Sequence, residues 1–458
     1  MSELRVFIDF GSTFTKGVVF DLESETLAAR VQTPSTVDTD ITVGLRKALD
    51  ALARELPIKE AEIRGAAACS SAAGGLRMVC IGLVPDYTTK AGRLAALGAG
   101  AKVVGTFSYE LSASELGELE ALAPDIVLLT GGTDGGNRKT IARNAALIAG
   151  SPAVHNVIAA GNKSARDEVE AAFAGTGKNL RFTKNVMPEF GVLELEPVNE
   201  QIRELFISRI TEAKGIARVA EIIGGVSMPT PAAVFAAARL IADGTPAEAG
   251  LGELLLVDVG GATTDVYSIA RGAPTRADVR LLGLPEPRAK RTVEGDLGLF
   301  HNLDTLADIA LQSDLFAATD REGFDENVKK LRTRRSVPDG DTLTQYQRML
   351  SRLAVKTAVE RHAGRLDSIM TGEGEVWVQR GKDLSKLACV LGAGGPLAFS
   401  SDPRYVLAGA ASDAPNILVP REPRFLLDAR YILFAIGLLA QSEPAKALRI
   451  VKKYLTDI

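Results

Sequence analysis

Two carboxylates stand where apolar strands run out into glycine-bearing turns. Asp9 ends Arg5-Val6-Phe7-Ile8, and Asp258 ends Leu254-Leu255-Leu256-Val257. Gly11-Ser12-Thr13 follows the first and Gly260-Gly261-Ala262-Thr263 the second, and in both places a short apolar strand then resumes. A tight turn between strands leaves successive backbone N–H groups unpaired and pointing one way, which makes an anion-binding concavity. Gly11, Gly260 and Gly261 let the chain approach a phosphate where a Cβ would collide. The hydroxyls of Ser12, Thr13 and Thr263 add donors, and Lys16 closes the first turn. Asp9 and Asp258 are placed to organise Mg2+ through water. Two such hairpins facing one another would clamp a triphosphate and its metal. A third glycine turn follows in order: Val390-Leu391 enters Gly392-Ala393-Gly394-Gly395-Pro396, where the flat face of a nucleoside can rest on bare backbone. The predicted chemistry is the binding of a nucleoside triphosphate with Mg2+.

Each turn needs firm strands beside it. Residues 5–10, 17–20 and 27–32 read as an antiparallel meander, followed by a helix over 40–53 with Ile41, Leu45, Leu49 and Leu52 at helical spacing, and a strand over 63–68. From Leu76 strands alternate with helices, which predicts a parallel sheet with right-handed crossovers and a subdomain of its own over about 76–187. Pro229-Thr230-Pro231 opens a helix over 232–242; proline suits the first turn, where its missing N–H has no intrahelical partner. The strand and turn at 254–265 repeat those at 5–15, pointing to a duplicated core. Residues 273–296, rich in proline and arginine, read as irregular loop, and the stretch beyond Pro423 as mostly helical. The expected architecture is α/β, with domain I over 1–244 including the insertion, domain II over 245–420, and C-terminal helices over 421–458 on the core.

Composition excludes several classes. A net charge of −4 leaves no broad basic surface for nucleic acid, and the one dense basic cluster, Arg332-Thr333-Arg334-Arg335, reads as a solvated face. Cys69, Cys80 and Cys389 have no CxxC spacing, and His155, His301 and His362 lie far apart, so a metal held by Cys and His is not expected. The apolar run 431–440 is about half a membrane span. The chain opens directly into a strand, with no room for a signal peptide. A cytoplasmic protein without a membrane partner is expected.

The four motifs Asp9-Phe10-Gly11-Ser12-Thr13, Pro229-Thr230-Pro231-Ala232-Ala233, Asp258 to Asp265 and Gly392-Ala393-Gly394-Gly395 resemble the first phosphate, connecting-helix, second phosphate and adenosine motifs of the actin, heat-shock ATPase and sugar-kinase superfamily. The resemblance spans almost the whole chain in superfamily order. It implies an actin-like ATPase fold, two ribonuclease-H-like domains closing on ATP·Mg2+, with Asp9 and Asp258 as metal organisers. Ser12, Thr13, Gly260, Gly261 and Thr263 are implied phosphate contacts, and Gly394 and Gly395 implied nucleoside contacts. Lys356 and Glu360, one helical turn apart on the preceding helix, are placed to reach the base or ribose. Heat-shock ATPases carry a Glu just before the Pro-Thr of the connecting helix; Met228 stands here, and a thioether cannot orient water or take a proton.

A narrower resemblance rests on Ala68 to Met78, Thr130-Gly131-Gly132-Thr133-Asp134-Gly135-Gly136 and Arg291 to Gly298. These look like the accessory L-protein family of glutamate mutase. The family implies a partner among the adenosylcobalamin-dependent mutases and a reactivating chaperone that uses ATP to expel damaged cobalamin. The inserted unit resembles the flavodoxin-like cobalamin domain of such mutases but lacks the DxHxxG loop that ligates cobalt, so it is expected to mimic or displace the mutase's small subunit; its Thr130–Gly136 loop alternatively binds a small anion. Two other activities suit the fold. A small-molecule kinase needs a carboxylate base and a substrate pocket that the sequence does not disclose. A radical-dehydratase activator needs closely placed thiolates, which Cys69 and Cys80 do not supply. Glu286, Glu294 and Asp296 are loop acids whose place relative to the site is open. Replacing either Asp9 or Asp258 by Ala is expected to abolish Mg-ATP-dependent activity and leave the fold intact.

Overall fold

Strand β1 (Leu4–Phe10) is buried along almost its whole length, so its continuous apolar run needs cover on both faces. It pairs antiparallel with β2 (Phe14–Asp21), which pairs with β3 (Thr26–Pro34). The Ile41–Glu55 helix then starts at Asp40, whose side chain accepts the Thr42 N–H, and lays Leu45, Ala48 and Leu52 on the sheet. The computed structural model describes residues 3–458 apart from 37–38, 60–61, 64, 72–75, 213–215, 301, 314–320, 334–340 and 373. Ala72, Ala73, Gly74 and Gly75 of the first accessory-family motif, His301, and Arg334 with Arg335 lie outside the described residues.

After β4 (Ala67–Ser70) comes the alternating segment: β5 (Arg77–Gly82), β6 (Lys102–Ser108), β7 (Ile126–Leu129), β8 (Asn156–Ala159) and β9 (Asn179–Phe182). These five strands make their own sheet, all parallel, in the order β6-β5-β7-β8-β9. This is the flavodoxin-like doubly wound order. The chain returns to the first sheet through β10 (Val226–Pro229), beside β4, and the Thr230–Asp243 helix follows. The first sheet therefore runs β10-β4-β1-β2-β3.

A two-stranded ribbon, β11 (Gly244–Thr245) with β12 (Glu248–Ala249), leads into β13 (Leu254–Val259) and β14 (Thr264–Ile269). Then come β15 (Val279–Leu281), β16 (Ala289–Glu294), the Asp341–His362 helix, β17 (Arg365–Thr371), β18 (Gly374–Arg380), β19 (Cys389–Ala393), β20 (Arg424–Leu427) and β21 (Thr456–Asp457). The second large sheet runs β16-β14-β13-β19-β20-β21. Apart from the added β21, its antiparallel meander and two parallel neighbours repeat the first sheet strand for strand. The duplicated core is thus a pair of ribonuclease-H-like sheets, the actin-like arrangement. Phe7, Val18 and Phe20 from one sheet and Leu254, Leu256 and Tyr267 from the other share a core with the Thr230–Asp243 and Leu433–Leu439 helices. These helices cross so closely that a methyl on Gly437 would overlap the Ala233 carbonyl.

Two expectations are corrected. The stretch 273–296 is not irregular, because β16 extends the second sheet beside β14. Its run Ala-Lys-Arg-Thr-Val-Glu reads as surface, yet Lys290 and Arg291 are buried because each has a carboxylate, Glu286 and Asp265. The segment after Pro423 begins with β20, a strand of that sheet, before its helices.

Candidate nucleotide-binding site

The two glycine turns are local copies of one another. Gly11 N–H donates to Phe14 O at 3.0 Å, and Gly260 N–H to Thr263 O at 2.9 Å. The carbonyls of each turn are tied to a neighbouring segment. Ser35 binds Gly11 O and Thr13 O in the first. In the second, Leu299 N, Phe300 N and the Asn302 amide bind Gly260 O, Gly261 O and Ala262 O. The amides of Ser12, Thr13, Gly261 and Ala262 have no protein partner among the described residues, which is the anion-binding concavity expected from sequence. The turns also face one another: a Cβ on Gly261 would lie 3.3 Å from Thr13 Oγ1.

A cavity of about 810 Å³ lies between them. Asp9, Gly11, Ser12, Thr13, Lys16, Asp258, Gly260, Gly261, Thr263 and Gly395 all line it. Four expected residues do not. Gly392 is buried, where a Cβ would press on Leu397 and Leu407, and Gly394 backs onto the Val259 carbonyl. Lys356 and Glu360 pair with each other at 2.8 Å on the Asp341–His362 helix. The loop acids are likewise engaged elsewhere, Glu286 by Lys90 and Lys290, and Glu294 and Asp296 by Arg361. Met228 is buried outside the cavity.

The two aspartates differ because their cross-strand partners differ. Asp9 stands opposite Lys16, whose ammonium is 2.8 Å from Asp9 Oδ2 and 4.0 Å from the Tyr431 ring centre. Asp9 Oδ1 accepts from Thr230 Oγ1 at 2.6 Å, and the Cys69 thiol lies 3.6 Å away. Burial disfavours the Lys16 charge, but Asp9 and the Tyr431 hydroxyl more than offset it, and its pKa rises. Asp258 stands opposite Asp265 instead. Burial, then repulsion from Asp265, Asp428 and Asp9 against the pull of Lys16, pushes its carboxyl up from 3.8 to about 7. Asp265 itself is clamped by Arg291 at 2.6 and 2.9 Å and accepts from Thr263 Oγ1 at 2.9 Å.

The sequence reading missed Thr230, Asp428 and Tyr431. A signal existed for Asp428: Arg424-Phe425-Leu426-Leu427-Asp428 is a third apolar strand ending in an aspartate, like those at Asp9 and Asp258. Its two oxygens accept the N–H groups of Ile432 and Leu433, both at 3.0 Å, and burial raises its pKa. Among the described residues no three His, Cys, Asp or Glu side chains converge on a metal position. A divalent ion here would be held by a nucleotide's phosphates and water, with the aspartates accepting from that water. A carboxyl raised to about 7 by burial and then by neighbouring carboxylates fits such an ion, since a cation favours the charged form and relieves the repulsion. Among the described residues no helix is long and apolar enough to cross a membrane.

The profile of the family described as MutL protein matches residues 5–455. Protein MutL of Clostridium tetanomorphum is 42% identical over 458 residues, covering 99% of both chains. Among solved structures, a nucleotide-free acetone carboxylase covers 96% of this chain and 70% of its own at 13% identity and a TM-score of 0.39. The activator of the 2-hydroxyisocaproyl-CoA dehydratase from Clostridium difficile, with bound ADPNP, covers 98% of each chain at 10% identity and a TM-score of 0.33. On the strength of the profile and the relative, the chain belongs to the MutL protein family.

Proposed function

We propose that this protein is an ATP-driven accessory protein that reactivates an adenosylcobalamin-dependent mutase, glutamate mutase or a related aminomutase, by exchanging damaged cobalamin. The observation that carries the nucleotide part is the meeting of two matched turns, with amides free of protein partners among the described residues, beside Asp9 and Asp258. Family membership supports the mutase as partner. In this reading residues 1–244 and 245–420 are the lobes that close, and ATP favours the closed state only by binding it more tightly. Ser12, Thr13, Gly260, Gly261 and Thr263 hold the phosphates, Gly395 lies under the nucleoside, and Asp9 and Asp258 orient the water around Mg2+. The metal supplies charge neutralisation between the phosphates and the carboxylates. Three buried free thiols suit a reducing cytoplasm.

The partner is tested by affinity capture from the source cell's extract on the immobilised protein, with ATP, with ADP and without nucleotide. Retention of a cobalamin enzyme, identified by its absorption spectrum and changing with the nucleotide, is expected. Retention of none in any state, together with ATP-dependent phosphorylation of a small molecule, would replace this reading with the kinase.

The metal is tested by pH. Folding raises the Asp258 carboxyl, so the folded chain holds that proton more tightly than the unfolded one. The group therefore costs stability progressively as pH rises from 3.8 to about 7. Bound Mg·ATP favours the anion, so binding releases this proton below about 7. Affinity is expected to climb by up to about tenfold per pH unit from 6 to 7 and flatten above. Asp258→Asn is expected to remove that slope. Calorimetry in buffers of different ionisation enthalpy measures the proton; an equal slope in wild type and variant would show that Asp258 is not its source.

A further inference from the structure

Among the described residues three basic side chains line the cavity: Lys16, Lys102 and Arg291. Lys16 is held by Asp9 and Arg291 by Asp265. Lys102 forms no ion pair among the described residues. It is half-buried, it opens β6 of the inserted sheet, and its Nζ reaches to 3.5 Å from where a Cβ on Gly295 would stand. A cation from the inserted unit thus lines, with Gly100 and Ala101, a cavity that both phosphate turns also line.

The loop that carries Lys102 is fastened to the second phosphate turn. Arg291 donates from Nη1 to Leu97 O at 2.8 Å and to Ala101 O at 3.3 Å, at the end of the Lys90–Gly98 helix. The rest of its guanidinium holds Asp265 Oδ1, while Asp265 Oδ2 accepts from Thr263 Oγ1. A planar fork can grip both partners at once where an ammonium cannot. Gly100 in the same loop has φ +93, and a Cβ there would lie 3.0 Å from the Pro229 Cβ, so the loop also rests on the first sheet. One line of hydrogen bonds joins Thr263, Asp265, Arg291 and the carbonyls of Leu97 and Ala101, ending one residue before Lys102.

We propose that the inserted unit reads the terminal phosphate: Lys102 meets the γ-phosphoryl group of a bound nucleoside triphosphate, and Arg291 is the positioning residue that links the second phosphate turn to the Lys102 loop. The proposal rests on the ATP reading and adds how nucleotide state reaches the unit that neither large sheet contains. A ligand shifts a conformation only by contacts it makes better in one state, and a diphosphate lacks the group that Lys102 would meet. The triphosphate draws the inserted unit to the cleft, and the diphosphate leaves it free to part.

The test measures Mg·ADPNP and Mg·ADP affinities of the full chain by calorimetry. Lys102→Ala is expected to weaken ADPNP by about tenfold to a hundredfold, the value of one charge-assisted hydrogen bond, with ADP within about twofold. Arg291→Lys, which keeps a charge beside Asp265 but loses the fork, is expected to lose the same preference for ADPNP over ADP. In the wild type, backbone hydrogen exchange over 97–102 is expected to slow with ADPNP and not with ADP. Equal losses for both nucleotides in either variant, or no loss in Lys102→Ala, overturns the proposal. A wild type that binds neither nucleotide defeats the ATP reading itself.

Discussion

Asp9→Ala is expected to remove nucleotide binding and about 3–5 kcal/mol of stability together, because it strands the buried Lys16 ammonium without its carboxylate. The Lys16 side chain is 10% exposed and the Asp9 side chain 1% exposed, at 2.8 Å. The Tyr431 ring beneath Lys16 cannot replace an ion pair. The double variant Asp9→Ala/Lys16→Met should regain most of the stability and none of the nucleotide binding, since it removes the orphaned charge and not the lost site. Asp258→Ala should behave differently. No cation pairs with Asp258 among the described residues, and burial with neighbouring carboxylates already holds its carboxyl at about 7. It should lose Mg-dependent binding at unchanged or higher stability. Denaturant unfolding beside nucleotide titration separates the cases. An Asp9→Ala protein as stable as the wild type would mean that Lys16 is not sealed in by this pair. The sequence alone predicts an intact fold for both variants; the buried Lys16–Asp9 pair is the reason to expect a stability loss for Asp9→Ala.

Gly394→Ala should cost about 3 kcal/mol or more, from a backbone forced into a left-handed conformation and a clash that nothing soft can absorb. Gly394 has φ +97, and a Cβ there would overlap the Val259 carbonyl and stand 2.7 Å from Asp258 Oδ1. Its neighbour is the control. A Cβ on Gly395 meets only Phe399 at 3.9 Å, and Gly395 lines the cavity. Gly395→Ala should thus leave stability within about 0.5 kcal/mol while weakening ATP, because the methyl occupies the space over which the nucleoside would lie. The same unfolding and titration measurements apply to both. Equal stability losses at the two positions would show that the Gly394 turn can relax, and that the Val259 carbonyl is not a fixed wall.

The sequence made the two hairpins and their aspartates legible because all of their information is local. An apolar strand, a carboxylate, a glycine turn and a returning strand fit within a dozen residues, and the free amides follow from the turn. All nine expected residues of the two hairpins line the cavity for that reason. Lys356 and Glu360 do not, since helical spacing says which residues share a face and not which way the face points. β16 escaped notice because its charges look like surface until Asp265 and Glu286 are seen to hold them. Asp428 escaped because a short strand beyond a proline-rich stretch reads as the start of helices.

From the chain alone came the family, the duplicated strand-turn-strand units, the inserted parallel unit and the aspartates at the turns, all carried by short-range pattern. Tertiary structure alone decided that Thr230 reaches Asp9 and Asp428 stands near Asp258, that Lys102 of the inserted unit borders the same cavity, and that Arg291 ties Asp265 to Leu97 and Ala101. The physical reason is that turn geometry depends on neighbours in sequence, whereas Coulomb interaction and desolvation depend on neighbours in space, and three sheets must pack before those neighbours exist.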